Sequence, residues 1–460
     1  MSATKKEELV KRIARLAKQN QDLEEHIRNL EKMNEKLTRD NENIKALYEK
    51  ASPEGVKEHS LKFNMATVLF ADIHGFSKFV GGMDSSAAMD ELDEILFEFD
   101  AIVSRFKIEK IKTIGDTYMC AGGIPVKNIT NPIDVVMAAM EMRNFLEKFE
   151  ISKRGRDSRI WDLKIGIHTG PVTASVTGKK KVNYEIKGDT VNTVSRVEAV
   201  SDKGMILISV MTYELVKEFF DCEYSGKLPV KYKSDLQMYK VRGLKPEFSV
   251  NGEWIIPNES FRIKFGLIQF TDIQEIILDK LEKELPDYLY YHNVKHTVDV
   301  VTEVELIGWG EGCTDEEILL LKTAGLFHDA GHIIAYDNHE FYGTELAREM
   351  LPKFNYSPQQ IECICSMIMA TKLPPKPTNL LENIICDSDL DYLGRSDFIP
   401  VSNTLYEELK AQNKMWSLND WNKIQVKFIS GHQYFTGTAR SLREVNKQLQ
   451  IERIQSLITE

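Results

Sequence analysis

Long hydrophobic runs are missing from this 460-residue chain: no apolar stretch approaches the roughly 20 residues that a membrane-spanning helix needs. The N-terminus is rich in Lys and Glu and carries no apolar signal core, so a cytoplasmic location with no membrane partner is expected. Cysteine is scarce. Its six copies, Cys120, Cys222, Cys313, Cys363, Cys365 and Cys386, show no paired zinc-ligand spacing and lie mostly in apolar segments. They read as reduced core thiols, which argues against a disulfide framework or a structural zinc. Positive charge is also short: 59 Lys and Arg face 70 Asp and Glu, a formal charge of −11. The basic residues are interspersed and the one compact run is Lys179-Lys180-Lys181, so nucleic acid is not an expected partner.

Three segments are present. At about 150 residues per domain the length suggests two or three domains. Residues 1–50 carry a seven-residue repeat, with Leu9, Leu16, Leu23, Leu30, Leu37 and Ile44 at one position and Ile13, Asn20, Ile27, Asn34, Asn41 and Tyr48 at the other. Leucine at d with Ile and Asn at a predicts a parallel dimeric coiled coil, because each buried Asn pairs with its counterpart and fixes register. Ser52-Pro53-Glu54-Gly55 ends that helix. From 61 to 257, strand-like runs (Met65 to Ala71, Thr117 to Gly122, Leu163 to Ile167, Met205 to Ser209) alternate with amphipathic runs (Ser85 to Phe106, Ile133 to Phe149), which predicts an α+β or α/β domain around one sheet. From 260 to 460 strand signals fade and helical periodicity takes over, with Pro374-Pro375-Lys376-Pro377 as a loop between helices.

Two constellations carry chemistry. Asp72 follows an apolar strand and precedes a glycine turn, and Asp116 sits at the turn between two strand-like runs. Carboxylates at adjacent strand ends can share a pair of Mg²⁺ ions. In the last segment, Tyr291-His292-Asn293-x-x-His296, then His328-Asp329-Ala330-Gly331-His332, then Cys386-Asp387-Ser388-Asp389 supply imidazoles and carboxylates from different helices. Such a set makes a divalent-metal site, and an adjacent His-Asp flanked by apolar residues is hard to bury without one.

The order Asp72-Ile73-x-Gly75-Phe76, Lys112-x-x-Gly115-Asp116, Gly166-Ile167-His168-Thr169-Gly170-Pro171 and Gly188-Asp189-Thr190-Val191-Asn192-x-x-Ser195-Arg196 resembles the class III nucleotidyl cyclases over roughly residues 63 to 250. The resemblance implies a ferredoxin-like α+β domain that dimerises, with active sites between two chains, each holding two Mg²⁺ or Mn²⁺. Asp72, Asp116 and the Ile73 carbonyl match its metal ligands, Asn192 its ribose-positioning residue and Arg196 its α-phosphate arginine. Lys231 matches a triphosphate lysine, with Lys233 close enough to be confused with it. Lys112 and Glu185 match the purine pocket. Lysine can only donate, to the adenine N1, and a carboxylate can accept from the adenine amino group. The expected substrate is therefore ATP and the expected activity that of an adenylate cyclase, although Glu185 departs from the family's usual aspartate by one methylene. A guanylate or mixed-purine cyclase, or a nucleotide-sensing scaffold, is the alternative.

Residues 261 to 440 resemble the HD superfamily of metal-dependent phosphohydrolases, implying an all-α domain with one or two divalent ions. The matching ligands are His296, His328, Asp329 and one of Asp387 or Asp389, with Asp387 favoured by its apolar neighbours Ile385 and Cys386. The stretch Tyr291-His292-Asn293 and the placement of His332 look like cyclic-nucleotide phosphodiesterases, in which His292 would be the acid on the leaving oxygen. Hydrolysis of another phosphoester, or a purely regulatory domain, remains open. The expected whole is a multidomain α/β homodimer: parallel coiled coil, ferredoxin-like cyclase domain, all-α HD domain.

Overall fold

Alternation along strand β1 (Ser60–His74) sends Leu69, Ala71 and Ile73 into one buried layer and Ala66 and Val68 into another, with Asp72 in register with the second set. The computed structural model describes residues 60–74, 85–155, 161–177, 183–229, 235–415 and 417–459; the heptad segment, Lys231 and Lys233 lie outside them. Lys62–Ala174 and Asn183–Glu460 belong to one compact unit.

The other strands are β2 (Glu109–Ile114), β3 (Thr117–Gly122), β4 (Asp162–Thr177), β5 (Asn183–Lys187), β6 (Ile206–Ser209), β7 (Phe220–Leu228) and β8 (Leu236–Leu244). They form one sheet in the order β2-β3-β1-β4-β6-β8-β7, with β5 paired to β4. The first four strands with helices α1 (Ser85–Arg105) and α2 (Asn131–Arg154) make a βαββαβ unit of ferredoxin-like order, β3 antiparallel to β1 and to β2. The strand-like runs of the sequence match β1, β3, β4 and β6, the last beginning at Ile206 and not at Met205, while β2, β5, β7 and β8 carry too much charge to stand out.

Helix α1 buries Ala88, Leu92, Ile95, Phe99 and Ile102, a three-and-four spacing that makes one apolar stripe. That stripe and Val135, Val136, Ala139 and Met142 of α2 cover the Leu69 face of the sheet. The opposite face is covered by Ile186 of β5 and Val194 of α3 (Asp189–Ala199). A buried hydroxyl chain crosses beneath the sheet: Thr67 Oγ1 lies 2.9 Å from Thr169 Oγ1, which lies 3.0 Å from Thr212 Oγ1 of α4 (Val210–Val216).

The C-terminal region is helical throughout its described residues: α5 (Glu259–Glu284), α6 (Val294–Gly310), α7 (Asp315–Phe327), α8 (His339–Met350), α9 (Pro358–Ala370), α10 (Leu380–Asp389), α11 (Phe398–Ala411), α12 (Leu418–Gly431) and α13 (Gly437–Leu457). Helix α5 serves two cores. Phe261 near its start packs with Phe219 and Phe248 of the sheet domain, and Phe270, Ile273, Ile277 and Leu281 lie in the helical core. Among the described residues no helix is long and apolar enough to cross a membrane.

Candidate active sites

The β1–β3 register builds the first site. Asp72 pairs with Thr117 across the ladder, and the Ile73 amide donates to the Asp116 carbonyl at 3.0 Å, so Asp72 and Asp116 stand at neighbouring strand ends. Thr117 Oγ1 donates to Asp72 Oδ1 at 3.3 Å. His74 Nε2 lies 3.2 Å from Asp72 Oδ2, and ligand-type atoms of Asp72, His74 and Asp116 gather within 4.8 Å.

Glu198, which the sequence reading missed, joins them from the end of α3. A Cβ on Gly166 would stand 2.4 Å from the Glu198 amide, so only glycine in β4 lets α3 come this close to the sheet. Burial, the Asp72 charge and a hydrogen bond with Asp72 push the Glu198 carboxyl up to about 7, with Asp116 adding to the rise and Lys164 opposing it. Asp72, His74 and Asp116 gathered at one strand end, with the Glu198 carboxyl near enough to feel the Asp72 charge, could hold divalent cations through oxygen ligands.

The other nucleotide-site candidates are placed as follows. Asn192 and Arg196 lie one turn apart on α3, both exposed, and Arg196 donates through Nη2 to the Pro229 carbonyl. Lys112 is exposed on β2, and β5, which carries Glu185, runs against β2. Glu185 Oε2 lies 3.5 Å from Lys187 Nζ.

The second site gathers five of the chain's ten histidines. His296 is on α6; His328 and Asp329 close the C-terminal end of α7; Asp389 ends α10. His296 Nε2 is 3.3 Å from His328 Nε2, 3.4 Å from Asp329 Oδ2 and 3.2 Å from Asp389 Oδ1. His328 Nε2 is 3.2 Å from Asp329 Oδ2 and 3.6 Å from Asp389 Oδ1. His328 Nδ1 donates to the Gly325 carbonyl at 2.8 Å, which turns Nε2 toward these oxygens. Burial opposes charge on His328, yet the Asp329 and Asp389 carboxylates hold its pKa well above the ordinary value. Burial works against the Asp329 carboxylate too, but His328 keeps its pKa well below the usual range. Two imidazoles and two carboxylates at these distances could hold a divalent ion.

Asp387 needs correcting. Its Oδ1 accepts from the Phe435 amide at 2.9 Å, and its Oδ2 from the Thr436 amide at 2.8 Å and the Thr436 hydroxyl at 2.7 Å. Asp387 thereby anchors the residue that caps α13, while Asp389, two positions on, faces His296 and His328. Two residues apart on a helix point some 200° away from each other, so both cannot serve one centre.

His292 Nδ1 pairs with Glu408 Oε1 at 2.5 Å, and Glu408 Oε2 accepts from the amides of Tyr291 at 2.9 Å and His292 at 3.1 Å. Burial lowers the His292 pKa, but the Glu408 bond and the charges of Asp329, Glu408 and Asp389 outweigh it and the net shift is upward. The His292 face opens on a cavity of about 570 Å³ that Tyr336, Lys372, Tyr392, Gln425 and Phe428 also line. Ser402 Oγ donates to Gln425 Oε1 and Trp421 Nε1 to Ser402 Oγ, which fixes the glutamine. Glu408, Gln425 and Phe428 lie far along the chain from the histidine motifs and give no local signal in the sequence.

These geometries meet known families. Residues 58–243 match the family described as the adenylate and guanylate cyclase catalytic domain, and residues 293–391 match the HD domain. The chain thus contains a class III adenylate/guanylate cyclase catalytic domain followed by an HD domain. It is 35% identical over 201 residues to the receptor-type guanylate cyclase gcy-8 of Caenorhabditis elegans, covering 43% of this chain and 17% of that protein. It is also similar to the solved guanylate cyclase domain of RhGC from Catenaria anguillulae in complex with GTP (32% identity, 40% of this chain, 100% of that one, TM-score 0.37). A third likeness is to the adenylyl cyclase CyaB from P. aeruginosa (29% identity, 40% of this chain, 95% of that one, TM-score 0.37). The chain spans less than a fifth of the length of the curated relatives described by these matches.

Proposed function

We propose that the protein is an adenylate cyclase that makes 3′,5′-cyclic AMP and pyrophosphate from ATP at sites shared between two chains, and that its HD domain hydrolyses a phosphoester, with a cyclic nucleotide the favoured substrate. The observation that carries the reading is the convergence of Asp72 and Asp116 at the β1–β3 strand ends, on the side of the sheet away from the helices of the core.

Asp72, Asp116 and the Ile73 carbonyl would hold two Mg²⁺ or Mn²⁺, which when bound neutralise the triphosphate and acidify the ribose 3′-hydroxyl. Asn192 positions the ribose. Arg196 holds the charge that develops on the α-phosphate; loss of one such preorganised donor costs about 100- to 1000-fold in rate. Lys231, or Lys233 beside it, grips the triphosphate. Lys112 donates to adenine N1 and Glu185 accepts from the adenine amino group. Guanine presents O6 and N1–H and meets the wrong partner at both points.

The resemblance to the class III cyclases implies that Asn192 and Arg196 complete the site of the partner chain, and the heptads of residues 9–48 suit the parallel homodimer this needs. The names of the relatives favour a second reading, guanylate cyclase.

In the HD domain His296, His328, Asp329 and Asp389 would hold a divalent ion, which when bound activates water at neutral pH. Protonated His292, set by Glu408, delivers its proton to the leaving oxygen. The amide of Gln425 can donate and accept toward a purine edge, with Phe428 as an apolar wall.

Chromatography after incubating the full chain with ATP or GTP and Mn²⁺ tests both halves. Cyclic AMP from ATP, followed by AMP, is the expected course. Dominant cyclic GMP overturns the base-pocket argument, and persistence of cyclic AMP overturns cyclic AMP as the substrate of the HD domain.

A further inference from the structure

The side chains that the cyclase resemblance assigns to metal are Asp72 and Asp116, and position 74 is the unassigned place in the pattern Asp72-Ile73-x-Gly75-Phe76. This chain puts a histidine there, and the fold turns it to the aspartates. Side chains alternate along a strand, so Asp72 and His74, two apart on β1, share a face, while Ile73 between them is buried in the core on the other. The Ile73 amide is held on the Asp116 carbonyl at 3.0 Å, which sets Asp116 across the ladder from the middle of the Asp72–His74 pair.

Asp72 divides its two oxygens. Oδ1 accepts from Thr117 Oγ1 at 3.3 Å, and Oδ2 lies 3.2 Å from His74 Nε2. Neighbouring ligands on one ion, with bonds of about 2.1 Å at right angles, stand about 3.0 Å apart, so this separation suits two donors to a shared cation as well as it suits a hydrogen bond. A hydrogen bond would need only Asp72. Ligand-type atoms of Asp72, His74 and Asp116 all lie within 4.8 Å of one another, which brings a second carboxylate to the same point as the imidazole.

We infer that His74 is a third side-chain ligand of the cyclase metal site and that it biases the site toward a borderline cation such as Mn²⁺ over Mg²⁺. The inference rests on the cyclase reading of this site. Mg²⁺ takes oxygen ligands and keeps several of its waters, whereas imidazole is a good donor to borderline first-row ions. Two carboxylates and a carbonyl serve either ion; adding one nitrogen donor separates them.

The test uses the full chain with Mn²⁺ and either 3′-deoxy-ATP or 3′-deoxy-GTP, which lack the attacking hydroxyl. Cyclase-site Mn²⁺ is defined as the bound ion that Asp72→Ala removes, which sets aside metal held in the helical domain. Pulsed electron paramagnetic resonance reads nitrogen coupling on that ion, and titration with and without competing Mg²⁺ gives both affinities. The His74 side chain is 40% exposed, so His74→Ala spares the core. Nitrogen coupling is expected in the parent and absent in His74→Ala, with Mn²⁺ affinity down about tenfold or more and Mg²⁺ affinity within about twofold. Asp72-dependent Mn²⁺ without nitrogen coupling, or coupling that survives His74→Ala, overturns the ligand assignment and leaves the cyclase reading standing. Equal weakening of Mn²⁺ and Mg²⁺ overturns the selectivity. Mn²⁺ binding that Asp72→Ala leaves unchanged overturns the metal reading of the cyclase site and the inference with it.

Discussion

A Cβ built on Gly266 would stand 2.7 Å from the Leu319 Cδ2 methyl, so α5 and α7 touch backbone to side chain at this point. His328 and Asp329 follow directly on the last residue of α7, and α5 places Phe261 in the sheet-domain core. One packed contact therefore links the helix that leads into the His328–Asp329 pair to the helix that enters the sheet domain. Gly266→Ala should be close to neutral, because the Leu319 methyl can yield and helix propensity rises by about 1 kcal/mol. Gly266→Val should overpack the contact and cost about 1–3 kcal/mol. Thermal unfolding of the two variants checks this, and equal stability would show that the contact yields freely.

Asp387→Ala and Asp389→Ala should separate cleanly. Removing Asp387 strands two amides and a hydroxyl at the α13 cap and should lower the melting temperature while metal content is kept. Removing Asp389 should abolish metal binding at the His296–His328 set and also cost apo stability at neutral pH, since, against the cost of burial, His296 and His328 hold its carboxylate below the usual range. Metal analysis beside calorimetry reads both; metal loss in the Asp387 variant alone would reverse the assignment.

Glu408→Gln should weaken the proton on His292. The carboxylate accepts two backbone amides and the imidazole, and its charge is one of the causes that raise the His292 pKa. The alkaline limb of HD hydrolysis should move to lower pH, with a rate loss of tenfold or more near pH 8 and bound metal unchanged. A pH–rate profile with cyclic AMP tests this, and an unmoved limb would take His292 out of the acid role.

Asp134 gives a pH dependence away from either site. Burial pushes its carboxyl up to about 7, against hydrogen bonds from Thr130 and Asn128 and the charge of Lys107, while Asp272 adds to the rise. A carboxyl raised in the folded state binds a proton that the unfolded chain releases, so its contribution is complete below the unfolded value and is lost as pH climbs to about 7. Asp134→Asn keeps the acceptor for Thr130 Oγ1, 2.9 Å away, and should flatten the fall in stability between pH 4 and pH 7. Melting curves across that range decide it; parallel slopes in parent and variant would show another group is responsible.

Much of the cyclase centre was legible because each member sits in a short local pattern. An apolar strand followed by Asp72, and a turn carrying Asp116, announce themselves by alternation and by glycine; their register then brings them together. Glu198 was not legible, since its place depends on Gly166 letting α3 onto the sheet from 32 residues away in sequence. In the HD domain the His-Asp pair stood out because apolar residues flank it. Asp387 and Asp389 share those neighbours, and only the distant need of Thr436 for an anchor tells them apart. Glu408 reaches His292 across 116 residues, so no spacing could point to it. The shift from strand to helical periodicity near residue 260 was legible, whereas the double role of α5, whose apolar positions run on from one core into the other, was not.

The central claim is that each cyclase site takes Asp72 and Asp116 from one chain and Asn192 and Arg196 from the other. Co-expressing full-length Asp72→Ala and Arg196→Ala chains, each nearly inactive alone, and measuring cyclic nucleotide formation tests it most directly. Random pairing makes half of the dimers mixed, each with one of two sites intact, so recovery of up to about a quarter of wild-type activity is predicted. Activity of the mixture no higher than that of either variant alone would contradict sites shared between chains.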